Sequence, residues 1–162
     1  MKLVLTWGRI VKILIIEDDK NKSSQVIERL NSQYSNLTFS EKRSFQQGVK
    51  SLRNSSFDLL LLDMTLPTFD IDTNSGGGKI RNFAGMEILE EMLQREIHLK
   101  TIIITQYESF GEEQITISQM RTILKEKYHK NFIEIIYYSS SSKSWFENLT
   151  KLVGELNEST DS

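Results

Sequence analysis

Short, nearly unbroken apolar runs recur along the chain. Val11–Ile16 (VKILII) ends abruptly in Glu17-Asp18-Asp19. Phe57–Met64 (FDLLLLDM) again carries an acid near its end, Asp63. Leu99–Thr105 (LKTIIIT) and Phe132–Tyr138 (FIEIIYY) follow, and Asn36–Ser40 (NLTFS) is a weaker run of the same kind. Runs of this length, rich in branched residues and without polar alternation, predict strands buried on both faces.

Between the runs the apolar period changes to that of a helix. Val26, Ile27, Leu30 and Tyr34 share one face of a helix over about Ser23–Tyr34. Phe45, Val49 and Leu52 mark a short second helix at i, i+4 and i+7. Met86, Ile88, Leu89, Met92 and Leu93 predict a helix over Ala84–Arg95. Ile115, Ile117, Met120, Ile123 and Leu124 predict one over Glu112–Tyr128, and Trp145, Leu149, Leu152, Val153 and Leu156 predict a closing helix. From Thr68 to Phe83 the texture is polar and glycine-rich, which predicts a long loop. Within it SGGGKI fails the phosphate-loop pattern, because Ile80 follows the Gly-Lys pair where a hydroxyl residue is required. No internal repeat is visible.

Buried strands alternating with amphipathic helices imply an α/β fold, a five-stranded parallel sheet doubly wound by helices on both faces. Right-handed crossovers place every strand's C-terminal end on one edge, and ligands of such sheets sit there. The domain is expected to span residues 11–157, with 1–10 an N-terminal extension and 158–162 a polar tail. Nothing substantial follows the last helix, so the unit is expected to stand alone.

Composition narrows the chemistry. The 162 residues carry 20 basic and 22 acidic side chains, a net charge of −2, so no basic excess exists for a run of phosphates and nucleic acid is not an expected ligand. No cysteine is present, which removes disulfides, thiolate metal sites and cysteine nucleophiles. His98 and His129 match no zinc spacing. The longest clean apolar run falls far below the roughly 20 residues a membrane helix needs. No cleavage site for a signal peptide is apparent. A cytoplasmic protein is expected, with no membrane partner.

The chemistry-bearing residues collect at strand ends: Glu17, Asp18, Asp63 and Thr105, with Ser139 and Ser140 after the last strand. If strands 1 and 3 are neighbours, three carboxylates face one another, and like charges that close disfavour ionisation unless a cation holds them. Hard oxygen ligands of this kind suit Mg2+. A carboxylate beside such an ion can act as a nucleophile towards a phosphoryl group, giving an aspartyl-phosphate. A hydroxyl at Thr105 would hydrogen-bond the arriving group. Asp70 and Asp72 lie on the long loop, from which they could reach the metal, and a disordered loop is the simpler reading.

VKILIIEDD, FDLLLLDMTLP, the helix start Gly85-Met86-Glu87-Ile88-Leu89, and TIIIT at the fourth strand occur in that order. With them the chain, over about residues 11–155, resembles the receiver domain of two-component response regulators. The resemblance implies a flavodoxin-like fold with strand order 2-1-3-4-5. It implies Asp63 as phosphoacceptor, Glu17 and Asp18 as the acid pair that binds Mg2+, and Thr65 as a backbone-carbonyl metal ligand. It also implies Thr105 as the switch hydroxyl and Tyr137 as the switch aromatic. The expected partners are a histidine kinase or phosphotransfer protein as donor and a downstream effector protein, with a homodimer as a further partner class. Any enzymatic activity would be confined to self-phosphorylation and autodephosphorylation.

The chain departs from the family pattern in three places. The family's lysine at the end of the fifth strand aligns with Ser140, and Lys143 falls three residues late. The loop after Pro67 and the stretch from Thr105 to Tyr137 are both longer than usual. Two other functions compete. A pseudo-receiver would keep the fold as an interaction or dimerisation module without productive phosphorylation. A phosphohydrolase of the haloacid-dehalogenase type would need a second acid two residues after Asp63, where Thr65 stands.

Overall fold

The computed structural model describes residues 2, 3, 10–72, 74 and 76–159; most of the expected N-terminal extension and the end of the polar tail lie outside them. The central sheet has five parallel strands: β1 (Val11–Ile16), β2 (Leu37–Lys42), β3 (Leu59–Leu62), β4 (Thr101–Thr105) and β5 (Phe132–Tyr137). Their spatial order is β2-β1-β3-β4-β5, which is the flavodoxin-like order. Five helices alternate with them: α1 (Lys20–Gln33), α2 (Phe45–Asn54), α3 (Ala84–Gln94), α4 (Ile117–Lys127) and α5 (Ser144–Ser159).

The strands read as continuous apolar runs because both faces are covered. Leu14, Ile16, Leu60, Leu62 and Ile103 point to one side, into a core closed by α2, α3 and α4. Ile13, Ile15, Leu59, Leu61 and Ile104 point to the other, into a core closed by α1 and α5. Register then fixes the site. Ile13 lies opposite Leu59 and Ile16 opposite Leu62, so Glu17 and Asp63 leave the sheet side by side. The Asp63 backbone N–H donates to the Ile16 carbonyl at 3.0 Å, which carries the pairing one step past the strand.

Two stretches differ from the sequence expectation. The expected loop Thr68–Phe83 closes on itself as a hairpin: Leu66–Pro67 pairs antiparallel with Ile80–Arg81. The Thr68 and Phe69 N–H groups donate to the Lys79 and Gly77 carbonyls at 3.1 and 2.9 Å. Arg81 pins the base, its guanidinium 4.3 Å from the Phe45 ring centroid and 2.7 Å from Glu87. The helix expected from Glu112 begins at Ile117 instead. The residues before it form a second small hairpin, Ser109–Phe110 with Ile115–Thr116, and a Thr116/Gln119 capping box starts the helix. Two-residue ladders are too short to leave a period-2 signal, and Ile115 suited either element.

Gly85 couples α3 to the site. A Cβ there would lie 3.0 Å from the Asp63 carbonyl oxygen and 3.1 Å from the Met64 Cα, both backbone atoms that cannot swing aside. Gly85→Ala is therefore expected to lower stability by about 1–3 kcal/mol, as overpacking does. Urea unfolding measures this, and an unchanged midpoint would contradict the close approach.

Candidate functional site

The loops after β1 and β3 bring Glu17, Asp18 and Asp63 together, with carboxylate oxygens all within 4.8 Å of one another. Glu17 and Asp63 are buried, and Asp18 lies at the exposed rim. The backbone of Glu17 is tied to β2 through its N–H to the Lys42 carbonyl at 2.9 Å. Arg43 donates to the Glu17 carbonyl at 3.2 Å and to Ser23 Oγ at 2.9 Å, closing the rim on that side.

The cation in this pocket is one that sequence reading missed. Asp19 caps α1, accepting from the N–H groups of Asn21 and Lys22 at 2.9 and 3.1 Å. That cap starts the helix three residues earlier than its apolar pattern indicates and puts Lys22 in the first turn. The Lys22 side chain is 1% exposed, and its ammonium lies 2.5 Å from Glu17 Oε2 and 3.5 Å from Asp63 Oδ1. It also donates to the Ile104 carbonyl at 2.7 Å, next to Thr105. A lysine in the first turn opposes the helix dipole, and a buried ammonium is costly without partners. The two carboxylates are what make the position tenable. The sequence signal was a helix cap, Asp19, placing a lysine on the turn that faces two strand-end acids.

Ser140, which aligns with the family's lysine, and Lys143 do not line this pocket. Ser140 and Lys143 are exposed around the start of α5, whereas the pocket is lined by Glu17, Lys22, Ser23, Asp63 and Ile104 with apolar neighbours. Asp70 accepts from Ser44 Oγ at 2.6 Å and so ties its loop to the N-cap of α2, and Asp72 accepts from the Asn74 N–H at 2.8 Å within its own loop. Thr65 Oγ1 donates to the Asn82 carbonyl at 3.3 Å, on the turn that follows Asp63.

Thr105 is fully buried at the end of β4. Its hydroxyl accepts from the Tyr107 N–H at 3.1 Å, and its register partner on β5 is Tyr137. Tyr137, the last residue of β5, and Tyr138 just after it have separate surroundings. Tyr137 is 43% exposed beside a cavity of about 450 Å³ bounded by α4, β5 and α5. Tyr138 points inward, its hydroxyl 2.6 Å from Gln25 Oε1 on α1 and its ring 5.0 Å from that of Trp145.

One ammonium faces two buried carboxylates and a third at the rim, so the cluster favours proton uptake. Burial first, and then the charge of Asp63, push Glu17 up to about 7, with Lys22 pulling the other way. Burial and Glu17 push Asp18 up to about 6. Burial also raises Asp63, against the pull of Lys22. Burial disfavours the Lys22 ammonium, but Asp63 and Glu17 outweigh it and hold the group above the ordinary lysine range.

The sign for stability follows. Between 4.5 and about 7 the native Glu17 holds a proton that the unfolded chain has released, so stability falls as pH rises through that window. Asp18 and Asp63 act in the same direction. Without divalent cations, the melting temperature is expected to decline across the window, with a smaller slope in Glu17→Gln. Equal slopes would contradict the assignment.

The donor set suits a hard divalent cation: three carboxylates, of which Asp63 Oδ1 is buried and accepts no hydrogen bond among the described residues. Also among the described residues, no helix is long and apolar enough to cross a membrane.

No family model matches the chain. The chain is 31% identical over 150 residues to the Detocs response regulatory protein DtcB of Enterobacter cloacae, covering 90% of this chain and all of that one. The receiver domain of the Francisella response regulator 1452 superposes with a TM-score of 0.63 at 13% identity, covering 93% of this chain and 98% of that one. The Thermotoga maritima response regulator TrrA, solved in complex with Mg2+ and BeF, superposes with a TM-score of 0.57 at 19% identity, covering 90% and 98%. By sequence similarity to DtcB over nine-tenths of its length the chain belongs to the response-regulator family, and its fold is that of a receiver domain.

Proposed function

We propose that this chain accepts a phosphoryl group on Asp63 from a histidine kinase or phosphotransfer protein and passes the altered state to a downstream effector protein. The unit that does so spans 11–157, flanked by an N-terminal extension and a polar tail. The observation that carries this reading is the Asp63 carboxylate itself. It is buried at the C-terminal edge of the sheet, one of its oxygens lies within 4.8 Å of an oxygen from each of two further acids, and among the described residues Oδ1 accepts no hydrogen bond.

In the transfer step a carboxylate oxygen of Asp63 attacks phosphorus. The new O–P bond forms as the N–P bond of a phosphohistidine breaks, and the electron pair stays on the imidazole nitrogen. Glu17, Asp18, Asp63 and the Thr65 carbonyl would hold Mg2+, which when bound offsets charge on the transferring oxygens. The buried Thr105 hydroxyl, which accepts from the Tyr107 N–H, would donate its own hydrogen to the phosphoryl group. Its partner Tyr137 stands on the α4–β5–α5 face, where an effector or a second copy of the chain would read the change.

One observation favours the pseudo-receiver as a second reading. Lys22 already pairs with Glu17 and Asp63, so the acid cluster does not require a metal to be stable. Intact mass after incubation with Mg2+ and acetyl phosphate or phosphoramidate decides between the two. One phosphoryl adduct, absent in Asp63→Asn, is the expected result. No adduct from either donor, nor from a phosphorylated kinase, would leave the pseudo-receiver.

A further inference from the structure

Among the described residues, one of the Lys22 donors makes no short hydrogen bond. An ammonium has three N–H groups and no acceptor. One is engaged by Glu17 Oε2 at 2.5 Å and one by the Ile104 carbonyl at 2.7 Å. The third faces Asp63 Oδ1 at 3.5 Å, which is an ion pair but too long for a good hydrogen bond. Asp63 Oδ1 in turn accepts no hydrogen bond among the described residues. A fixed cation with a spare donor thus faces an acceptor-only carboxylate that is itself short of partners. Glu17 and the Ile104 carbonyl hold the ammonium, and the side chain is buried beside Val26, Leu61 and Ile104.

We propose that Lys22 is a catalytic residue whose free N–H donates to an oxygen of the phosphoryl group on Asp63. Helix α1 thereby supplies a cation at the acid cluster, where Ser140 carries none and Lys143 is exposed. The inference rests on the phosphoacceptor reading above. Addition of a phosphoryl group puts anionic oxygens just beyond Asp63, within the reach of a donor already aimed there. A fixed donor facing developing charge in a water-poor site accelerates the step without reorganisation. Lys22 gives up no proton in this role. It keeps its bond to the Ile104 carbonyl, next to the Thr105 hydroxyl that would take a second oxygen.

The test compares the wild-type chain, Asp63→Asn, Lys22→Met and the double variant Lys22→Met/Ser140→Lys. Acetyl phosphate with saturating Mg2+ is the donor, adduct formation is followed by intact mass, and Mg2+ binding is followed by calorimetry. Lys22→Met is expected to bind Mg2+ at least as tightly as wild type, since a competing cation is gone. Its adduct should form roughly 100-fold more slowly, the usual cost of one such donor. The double variant, which offers an ammonium from the end of β5, should recover part of the rate. A Lys22→Met chain phosphorylated at the wild-type rate would overturn the proposal. So would loss of Mg2+ binding and adduct together with no recovery in the double variant, which would make Lys22 a structural counter-ion. A wild-type chain that binds Mg2+ but takes no adduct from acetyl phosphate, phosphoramidate or a phosphorylated kinase removes the phosphoacceptor reading itself, and this inference with it.

Discussion

Replacing Lys22 with methionine is expected to lower stability by about 3–5 kcal/mol when no divalent cation is present, the range seen when one partner of a buried ion pair is removed. The substitution nearly conserves volume, so packing contributes little. The loss comes from Glu17 and Asp63, left buried without the ammonium that faces both. Two consequences separate this cause from simple misfolding. Saturating Mg2+ should restore most of the lost stability, because the cation replaces the missing charge. Adding Glu17→Gln to Lys22→Met should also restore part of it, since one of the orphaned carboxylates is then neutral. Urea unfolding with chelator, and again with Mg2+, measures both. Equal stability of Lys22→Met and wild type in chelator would mean that the ion pair holds nothing together.

Trp145→Ala should cost about 3–5 kcal/mol, as truncation of a fully packed aromatic does. Trp145 is buried at the start of α5 and meets the Tyr138 ring at 5.0 Å. Tyr138 in turn holds Gln25 on α1, one turn after Lys22, and its ring lies 5.8 Å from the Lys22 ammonium. The indole therefore braces the last strand against the helix that carries the cation. Beyond the stability loss, the variant should form the Asp63 adduct more slowly even at temperatures where it is folded. Thermal melts and adduct rates together check this; a stable variant would show that the α1–α5 contact is peripheral.

Much of this was legible from the amino-acid pattern, and the reasons are local. VKILII and LLLL announce buried strands because each is covered on both faces, and Glu17 and Asp63 are conspicuous where those runs stop. The 2-1-3-4-5 order came from resemblance, since spacing alone leaves strand neighbours open. The hairpin at Leu66–Pro67 and Ile80–Arg81 was hidden because it is held by backbone bonds and by Arg81 on Phe45, not by apolar alternation. Lys22 was hidden for a different reason. The apolar stripe of α1 starts after it, and a lysine among Lys20, Asn21 and Ser23 looks solvated. Only the Asp19 cap, which turns that lysine back over the sheet edge, reveals where its ammonium ends.

The central claim, that Asp63 takes up the phosphoryl group, is tested most directly by locating the bond. The chain is treated with Mg2+ and acetyl phosphate, reduced with borohydride, digested and sequenced by mass spectrometry. An acyl phosphate is reduced to an alcohol, so the account predicts homoserine at position 63 and unmodified acids at 17 and 18. Reduction at Glu17 or Asp18 instead, or a phosphoryl group that resists borohydride on a serine of the 139–142 run, would contradict it.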